Sequence, residues 1–497
     1  MIRQLVLAKR AFSDVPVTFF HPTVYALSTS LAHKSAVAVV RVTGTHSKYI
    51  FQQLTGSKKD PIDRRASLRT LYDVTPETKN FLDSSIVIYF AGPKSFTGED
   101  MLELHLHGGK AVVKSVLKAI ERAGNKQVGK DVRYALPGEF SQRAFQNGCM
   151  DLTEVEGVAD LIDAETETQR QSAVTGMMGK NKEVFERWRS SIVSNIAQLT
   201  AIIDFGDDAE INDIDTILRS CAQEMRALGT EIKRFLEKVD RSSILQTGIK
   251  VALLGSPNAG KSSLLNCITN DDTSIVSDIP GTTRDSIDVP LDIGGFKVVL
   301  CDTAGIRGTS KDQIELEGIR RAKAKAAESD IMILVVDATS NEILTPELCD
   351  LVRSQLSLKE VIIVINKSDA VDSRTITEAR RKVETLLGDQ LNIKTVSCHE
   401  YEGIKGLIEN LSGRFRKVAD LTQDADPIAV SKRVQDILNR DVIGGIEDFL
   451  ATTELGDVVM ASESLGSAAE GVGKISGRSV GVEEVLGVVF SRFCVGK

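Results

Sequence analysis

The spacing of apolar and polar residues predicts a mixed strand and helix region at the start of the chain. Three apolar or β-branched runs predict strands: Val37–Val42, Ser85–Phe90 and Met101–His105. Helical spacing follows at Lys110–Ala123 and Pro137–Asn147. This pattern predicts a small α+β domain over residues 21–150.

Helical spacing dominates on both sides of a central segment. Apolar residues recur at intervals of three and four in five stretches: Leu152–Thr175, Asn181–Ile203, Thr216–Val239, Ile428–Phe449 and Leu455–Val472. The sole tryptophan, Trp188, falls in this pattern and is predicted to lie in a core or interface. Residues 151–248 and 419–497 are therefore predicted to form one discontinuous helical domain.

The central segment, residues 249–418, alternates strand-like and helical stretches. Five apolar runs predict strands: Ile249–Leu254, Lys297–Cys301, Ile331–Val336, Val361–Ile365 and Lys394–Val396. Regular alternation of this kind predicts a parallel sheet with crossover helices. The predicted fold class is thus multidomain, with an α+β N-terminal domain, a discontinuous helical domain and an inserted α/β domain.

A glycine-rich loop follows the first of these strands and precedes a helical pattern. Gly255–Ser263 reads Gly-Ser-Pro-Asn-Ala-Gly-Lys-Ser-Ser and matches the phosphate-binding pattern Gly-x-x-x-x-Gly-Lys-Ser/Thr. Gly255 and Gly260 allow backbone N–H groups to curl round an anion, and the helix N-terminus adds positive charge. Lys261 is predicted to reach the β- and γ-phosphates, and Ser262 to bind Mg²⁺. The other loop residues predicted to contact nucleotide are Asn258, Ala259 and Ser263.

Polar motifs at three further strand ends predict which nucleotide binds. In Asp302-Thr303-Ala304-Gly305, the aspartate can hold the Mg²⁺ water shell and the glycine N–H can contact the γ-phosphate. In Asn366-Lys367-Ser368-Asp369, the Asp369 carboxylate can accept hydrogen bonds from guanine N1–H and the 2-amino group, donors that adenine lacks. Ser397-Cys398 is predicted to offer a backbone N–H to the guanine oxygen. Together these motifs predict GTP rather than ATP.

The loop Ser277–Asp285 fits a switch in which Thr283 completes the Mg²⁺ shell. Ras-type proteins place a water-orienting glutamine just after the Asp-x-x-Gly turn, where this chain has Ile306. An apolar side chain cannot orient water, so hydrolysis is predicted to need polar groups from another source.

Composition narrows the class of protein. The 497 residues predict two to four domains. The net charge of −8 argues against broad nonspecific nucleic-acid binding but leaves a local basic patch, or a nucleic-acid-binding partner, open. Seven cysteines, none in a Cys-x-x-Cys pair, argue against a disulfide framework or zinc site. No apolar stretch approaches the ~20 residues of a membrane span, so no membrane association is predicted.

The first twenty residues are basic, amphipathic and poor in acids. They carry Arg3, Lys9 and Arg10, with Asp14 as the only acid. This pattern resembles a mitochondrial targeting segment over residues 1–20 and predicts the mitochondrial matrix. The alternative is an ordinary N-terminus on a cytoplasmic protein.

Several motifs together resemble the MnmE (TrmE) family of tRNA-modification GTPases. Two lie in the central segment, Pro257–Ser263 and Asp278–Asp285. Others lie outside it: Ser95–Asp100, His107–Gly109, Pro137–Phe140, Arg143–Phe145, Asp160–Ala164 and the ending Phe493–Lys497, which resembles Cys-x-Gly-Lys. The resemblance runs from about Thr23 to Lys497, which disfavours a GTPase that shares only the central domain.

The resemblance implies a substitute for the missing glutamine. In this family K⁺ takes the place of an arginine finger when two GTP-binding domains meet. The positions that match its ligands are Asn258, Ser277, Ile279 and Thr282. Glu315 matches a glutamate that helps to orient the catalytic water. A cation beside the β–γ bridge would stabilise the charge that grows in the transition state.

The resemblance also implies that the N-terminal domain binds tetrahydrofolate and dimerises. Arg41 and Glu103 match folate contacts, and Cys494 and Lys497 would reach back to the one-carbon folate. Cys149 stands where the family commonly has a basic residue, so one charge-assisted contact to the folate is expected to be missing.

The implied function is GTP hydrolysis coupled to modification of carbon 5 of the wobble uridine in certain tRNAs. The homodimer would work with an FAD-containing MnmG-type partner; the folate would supply the methylene carbon and the flavin the redox step. The alternative is a ribosome-assembly GTPase, which would share the central motifs but not the folate-type domain or the Cys-x-Gly-Lys tail. The sequence contains no motif that identifies the tRNAs that are modified. It also contains no motif that distinguishes a glycine-type from a taurine-type product.

Overall fold

The chain forms two units in this computed structural model. The structure describes residues 22–30, 35–74, 79–125, 131–205, 214–256, 258–270, 289–300, 326–388, 391–419, 430–478 and 496. The described residues up to Val155, with Gly496, form the first unit, and those from Glu156 to Arg478 form the second. The predicted targeting segment lies outside the described residues.

The first unit contains a six-stranded sheet in the order β3-β4-β5-β2-β1-β6. Its strands are β1 (Thr23–Leu27), β2 (Val37–Thr43), β3 (Ser67–Val74), β4 (Lys79–Phe90), β5 (Met101–His107) and β6 (Val132–Tyr134). Neighbouring strands are antiparallel except β1 and β6, which are parallel. Its helices are α1 (Ser47–Thr55), α2 (Lys110–Asn125) and α3 (Glu139–Gln146).

The alternation of buried and more exposed residues along the strands explains how this core forms. Ala38, Val40 and Val42 of β2 are fully buried and pack with apolar residues of β5 and of the amphipathic α2. The predicted strands and helices of this region are confirmed with shifted ends, and β4 starts six residues earlier than predicted. Strands β1, β3 and β6 had not been predicted.

Seven helices flank the α/β part of the second unit in sequence, and the first of them begins at the end of the first unit. Those before it are α4 (Leu152–Asp163), α5 (Glu167–Met177), α6 (Lys180–Phe205) and α7 (Ile214–Thr247). Those after it are α12 (Lys432–Ile437), α13 (Gly444–Glu454) and α14 (Val458–Ser476), with a π-helical turn at Leu438–Ile443. Trp188 and Phe185 of α6 share one apolar cluster with Phe449 and Leu465 from the later helices. Among the described helices, none is long and apolar enough to cross a bilayer.

The predicted helical stretch Leu152–Thr175 is two helices. Thr166 caps α5, because its side chain accepts from the Gln169 N–H while the Gln169 side chain accepts from the Thr166 N–H. Such a capping box starts a new helix even where the apolar spacing continues.

The α/β part is a six-stranded sheet in the order β12-β11-β10-β7-β9-β8. Its strands are β7 (Ile249–Gly255), β8 (Val289–Ile293), β9 (Phe296–Leu300), β10 (Ile331–Asp337), β11 (Glu360–Asn366) and β12 (Asn392–Thr395). Its helices are α8 (Lys261–Asn270), α9 (Pro346–Leu356), α10 (Ser373–Leu387) and α11 (Ile404–Val418). All five predicted strands are confirmed, with ends shifted by one or two residues.

The predicted parallel sheet has one antiparallel edge. Strand β8, which had not been predicted, pairs antiparallel with β9 through a turn at Gly294 and Gly295, both of which have positive φ. A two-glycine hairpin joins neighbouring strands directly and needs no crossover helix.

Candidate functional site

The predicted phosphate-binding loop begins where β7 ends. Gly255 has φ of 150°, and a Cβ there would lie 2.3 Å from the Val335 carbonyl oxygen of β10. Only glycine therefore lets the chain leave the sheet so close to the neighbouring strand.

The far side of the loop is held by the predicted base motif. Asn366, at the end of β11, is buried, and its Nδ2 donates to the Ala259 carbonyl oxygen at 3.0 Å. A Cβ on Gly260 would lie 2.1 Å from that same Nδ2. Two motifs that are more than a hundred residues apart in sequence are thus joined by one hydrogen bond.

Lysine and serine side chains follow at the start of α8. Lys261 Nζ donates to the carbonyl oxygens of Gly255 and Ser256 at 2.7 and 2.9 Å, so the amine lies over the loop. Ser262 and Ser263 occupy the first turn of the helix. Asn258 is exposed on the loop in a left-handed conformation with φ of 63°. This arrangement places positive charge and helix N–H groups where a phosphate chain could bind.

The carboxylate of the base motif is oriented by a buried serine. Ser397 Oγ donates to Asp369 Oδ1 at 2.6 Å and accepts from the Glu400 N–H at 3.0 Å. Ser397 is 0% exposed, so its rotamer is fixed by packing. This hydrogen bond lowers the pKa of Asp369, which keeps the carboxylate ionised and able to accept hydrogen bonds.

The lysine of the same motif is held at the neighbouring strand end. Lys367 has φ of 63°, and its Nζ lies 2.6 Å from Asp337 Oδ2 at the end of β10. Carboxyl ends of parallel strands meet at one edge of a sheet, where ligands of α/β proteins usually bind.

Ser397 and Cys398 were predicted to offer a backbone N–H to guanine. The Ser397 N–H donates to the Glu402 carbonyl oxygen at 3.0 Å, and the Cys398 N–H donates to Asn366 Oδ1 at 3.4 Å. Burial, followed by the nearby Cys267, raises the pKa of Cys398 to about 12, so its thiol stays neutral and unreactive at physiological pH.

Many predicted site residues lie outside the described part of the chain. These are Ser277, Ile279, Thr282, Thr283, Asp302, Thr303, Ala304, Gly305, Ile306, Glu315, Cys494 and Lys497. Among the residues that are described, no three His, Cys, Asp or Glu side chains cluster as metal ligands. Of the predicted Mg²⁺ ligands, only Ser262 is described, and its place after Lys261 fits that role.

Two of the predicted folate residues, Arg41 and Glu103, are neighbours in the first unit. Arg41 of β2 lies opposite Glu103 of β5, with Nε 2.9 Å from Glu103 Oε1, and its guanidinium lies 5.8 Å from the centre of the Phe96 ring. Just after the neighbouring strand β1 ends, Ser28 Oγ donates to the Gly496 carbonyl oxygen at 2.9 Å. A residue of the C-terminal tail therefore lies within this unit.

A buried arginine near this face was not given a role from the sequence. Arg143 donates to Glu99 and Glu139 at 2.9 and 2.8 Å, and to the Pro22 carbonyl oxygen at 2.7 Å. Its side chain is 3% exposed. Arg143 belongs to the Arg143–Phe145 motif of the sequence analysis, but a motif does not identify the carboxylates with which an arginine pairs.

The glycine loop, the asparagine that holds it and the oriented aspartate define a P-loop guanine-nucleotide-binding protein. Two family models together match most of the chain. The model of the MnmE helical domain matches residues 152–494, and the model of the GTP-binding protein TrmE N-terminus matches residues 23–149. The chain belongs to the MnmE (TrmE) family, as its motifs predicted.

Full-length relatives agree with the family models. The chain is 50% identical to the tRNA modification GTPase MSS1, mitochondrial, of Saccharomyces cerevisiae, over 97% of this chain and 94% of that one. It is 37% identical to the 5-taurinomethyluridine-[tRNA] synthase subunit GTPB3, mitochondrial, of Danio rerio, over 96% and 93%. It is 39% identical to the tRNA modification GTPase MnmE of Caulobacter vibrioides, over 96% and 99%.

Proposed function

We propose that this protein hydrolyses GTP and that the hydrolysis serves modification of the wobble uridine of certain tRNAs. The observation that carries the GTP part is the Asp369 carboxylate, held by Ser397 beside a loop that Asn366 ties to the same strand end. The tRNA part is supported by relatives named as tRNA modification GTPases, which align with nearly the whole chain. The mitochondrial names of two of them favour the matrix as its location.

The domain boundaries proposed are those of the sequence pattern, with a targeting segment over 1–20, an N-terminal domain over 21–150 and a GTP-binding domain over 249–418. The helical domain would comprise 151–248 and 419–497, so that the GTP-binding domain is inserted in it. The apolar cluster shared by α6, α13 and α14 supports this proposal, since helices from both sides of the insertion contribute to it.

Hydrolysis is proposed to use Mg²⁺ and K⁺. Ser262 and Thr283 would bind Mg²⁺, while Asn258 would bind K⁺ together with Ser277, Ile279 and Thr282. The exposed position of Asn258 on the loop, with its left-handed backbone, supports this role, because the residue is accessible to an ion. Glu315 would orient the attacking water.

The one-carbon donor is proposed to be a tetrahydrofolate held by Arg41, Glu103 and Lys497, with Cys494 close to the reacting carbon. The pairing of Arg41 with Glu103 and the contact of Gly496 with Ser28 support this site. Arg41 lies opposite Ala26 of β1, two residues before Ser28, so the tail contact lies near Arg41. An FAD-containing MnmG-type partner would supply the redox step, and the protein itself would act as a homodimer.

Nucleoside analysis of tRNA from a deletion strain tests the proposal. Loss of the modified wobble uridine, restored by the intact gene, is the expected result. Unchanged wobble uridines together with a defect in ribosomal subunit assembly would refute it.

A further inference from the structure

A shallow groove of about 620 Å³ opens between α2 and the edge strand β6 of the first unit. Its lining includes three lysines, Lys110, Lys114 and Lys118, and two tyrosines, Tyr25 and Tyr134. Glu121 is the one carboxylate among the lining residues. The groove shares none of the residues assigned above to the nucleotide or to the folate.

The three lysines form a stripe along one side of α2. Spacing by four residues places them on one helix face, about 6 Å apart along the axis. All three are exposed. No carboxylate of the described residues lies within ion-pair distance of them, whereas Lys48 of the same unit contacts Asp100 at 3.8 Å. The stripe therefore keeps its positive charge available to a partner.

An exposed aromatic ring lies beside the stripe. Tyr134 is 44% exposed, and its ring meets Tyr25 edge to face with the ring centres 5.5 Å apart. Tyr25 is buried, and its burial, with a smaller effect of Glu121, raises the pKa of Tyr25 to about 12. The neighbouring Arg133 is fixed by two hydrogen bonds of 2.8 Å to Glu139. Tyr134 is thus held in place with much of its ring accessible.

We propose that this groove binds tRNA, with the lysine stripe on backbone phosphates and Tyr134 stacked on an unpaired base. Cations supply most of the affinity for a phosphate backbone, and aromatic rings supply the stacking that single-stranded RNA offers. Because the net charge is −8, direct contact of this chain with RNA would need a local cationic surface such as this one. The inference rests on the proposed function, because it takes tRNA as the substrate.

Two other anionic partners fit the groove less well. Peripheral binding to a membrane uses an amphipathic helix with an exposed apolar face, whereas the apolar face of α2 is buried in the core. An acidic protein segment would satisfy the lysines but would give the exposed Tyr134 ring no stacking partner.

The test measures tRNA binding to the full chain by fluorescence anisotropy over a range of NaCl concentrations, with GDP present. In the variant Lys114→Ala with Lys118→Ala, the affinity should fall roughly tenfold, and the slope of log affinity against log salt should flatten by about 2. Alanine preserves the helix, and GDP binding should be unchanged. The matched control is Lys58→Ala with Lys59→Ala, which removes the same charge from an exposed loop of the same unit.

Variants of Tyr134 provide a second test, which does not depend on charge. Tyr134→Phe should bind tRNA like the unchanged protein, whereas Tyr134→Leu should lose about tenfold in affinity through the lost stacking. Equal affinities for the lysine variant and its control would overturn the inference. So would an absence of tRNA binding by the unchanged chain, or binding to vesicles of anionic lipid that the lysine variant alone abolishes.

The possible outcomes distinguish a failure of the groove proposal from a failure of the proposed function. Normal wobble modification in cells that carry the lysine variant, with unaltered tRNA affinity, would reject the groove and leave the proposed function intact. Normal modification in the deletion strain would reject the function itself.

Discussion

Ser397 Oγ lies 2.6 Å from Asp369 Oδ1 and donates a hydrogen bond to it. The contact fixes the orientation of the carboxylate that we propose binds guanine, and it lowers the pKa of that carboxyl below its ordinary 3.8. In this proposal, base recognition depends on Ser397, a residue that need not touch the base.

Replacing Ser397 by alanine should weaken GDP binding about tenfold at neutral pH, since one charge-assisted hydrogen bond is lost. It should also let the pKa of Asp369 rise towards 3.8. Because the ionised form binds guanine, the loss of affinity on acidification should then begin at a higher pH. Calorimetric titration with GDP across acidic pH measures both effects. Ser340→Ala, which removes an exposed turn hydroxyl of the same domain, is the control.

Asp369→Asn should change base preference rather than abolish binding. The amide presents a donor where the carboxylate had an acceptor, so the 2-amino group of guanine is left unpaired and the 2-carbonyl of xanthine is matched. GTP affinity should fall roughly 100-fold or more, and xanthosine nucleotides should bind better than guanosine nucleotides. Unchanged preference for GTP would show that Asp369 does not read the base.

Gly260→Ala should destroy the nucleotide site. The new Cβ would lie 2.1 Å from Asn366 Nδ2, and φ of 92° is unfavourable for alanine, so the loop or the Asn366 side chain that holds it must move. The matched control is Gly413→Ala in α11, where a Cβ meets nothing within 4 Å. That change should stabilise the protein by about 0.5–1 kcal/mol and leave GDP binding intact. Full GDP binding by the Gly260 variant would contradict the geometry of the clamp.

Arg143→Met should destabilise the first unit by about 3–5 kcal/mol, because the carboxylates of Glu99 and Glu139 would remain without their buried partner. Thermal unfolding of the full chain, followed by calorimetry, measures the effect. Arg122→Met, which breaks an exposed ion pair with Asp73, should cost about 1 kcal/mol or less.

The same network predicts how stability changes in acid. Burial opposes charge on Glu139, but hydrogen bonds from Arg133, the Leu136 N–H and Arg143 outweigh it and lower the pKa of Glu139 below 4.5. A depressed folded-state pKa adds stability above the unfolded value, and this is lost as the pH falls through the folded value. Stability should therefore decline below about pH 4.5, and Glu139→Gln should flatten that decline. An equally steep decline of stability in the Glu139→Gln variant would argue against this role of Glu139.

Asn258→Ala should remove the stimulation of GTP hydrolysis by K⁺ but retain GDP binding, since Asn258 is exposed and the loop glycines and Lys261 are unaltered. Hydrolysis rates in KCl and NaCl at equal ionic strength, at several protein concentrations, measure this. Asn341→Ala, at an exposed position of the same domain, is the control. Stimulation that persists in the Asn258 variant would mean that the K⁺ site lies elsewhere.

The parts of the fold that local patterns determine were predictable. Strand β7, its glycine loop and α8 follow from an apolar run, positive-φ glycines and helical spacing, and the structure places them as expected. The short edge strand β8 was not predicted, because it does not belong to the regular alternation of strands and helices. The Gly294-Gly295 pair between two apolar runs was the signal that could have found it.

The links between motifs were not predictable from spacing. The Asn366 clamp on Ala259 and the Ser397 contact with Asp369 join residues that only the sheet brings together. The division at Thr166 was readable in principle, because Thr166 and Gln169 form a threonine capping box within an otherwise continuous helical pattern. Buried networks such as that of Arg143 depend on which carboxylates the tertiary fold supplies.

The central claim is that guanine-nucleotide turnover at this site serves tRNA modification. It is tested most directly by measuring modified wobble uridine in tRNA from a deletion strain that expresses either the unchanged chain or Asp369→Asn at equal protein levels. The account predicts that the unchanged chain restores the modified nucleoside and the variant does not. Full restoration by Asp369→Asn, with its affinity for GTP measured to be reduced as predicted, would contradict it.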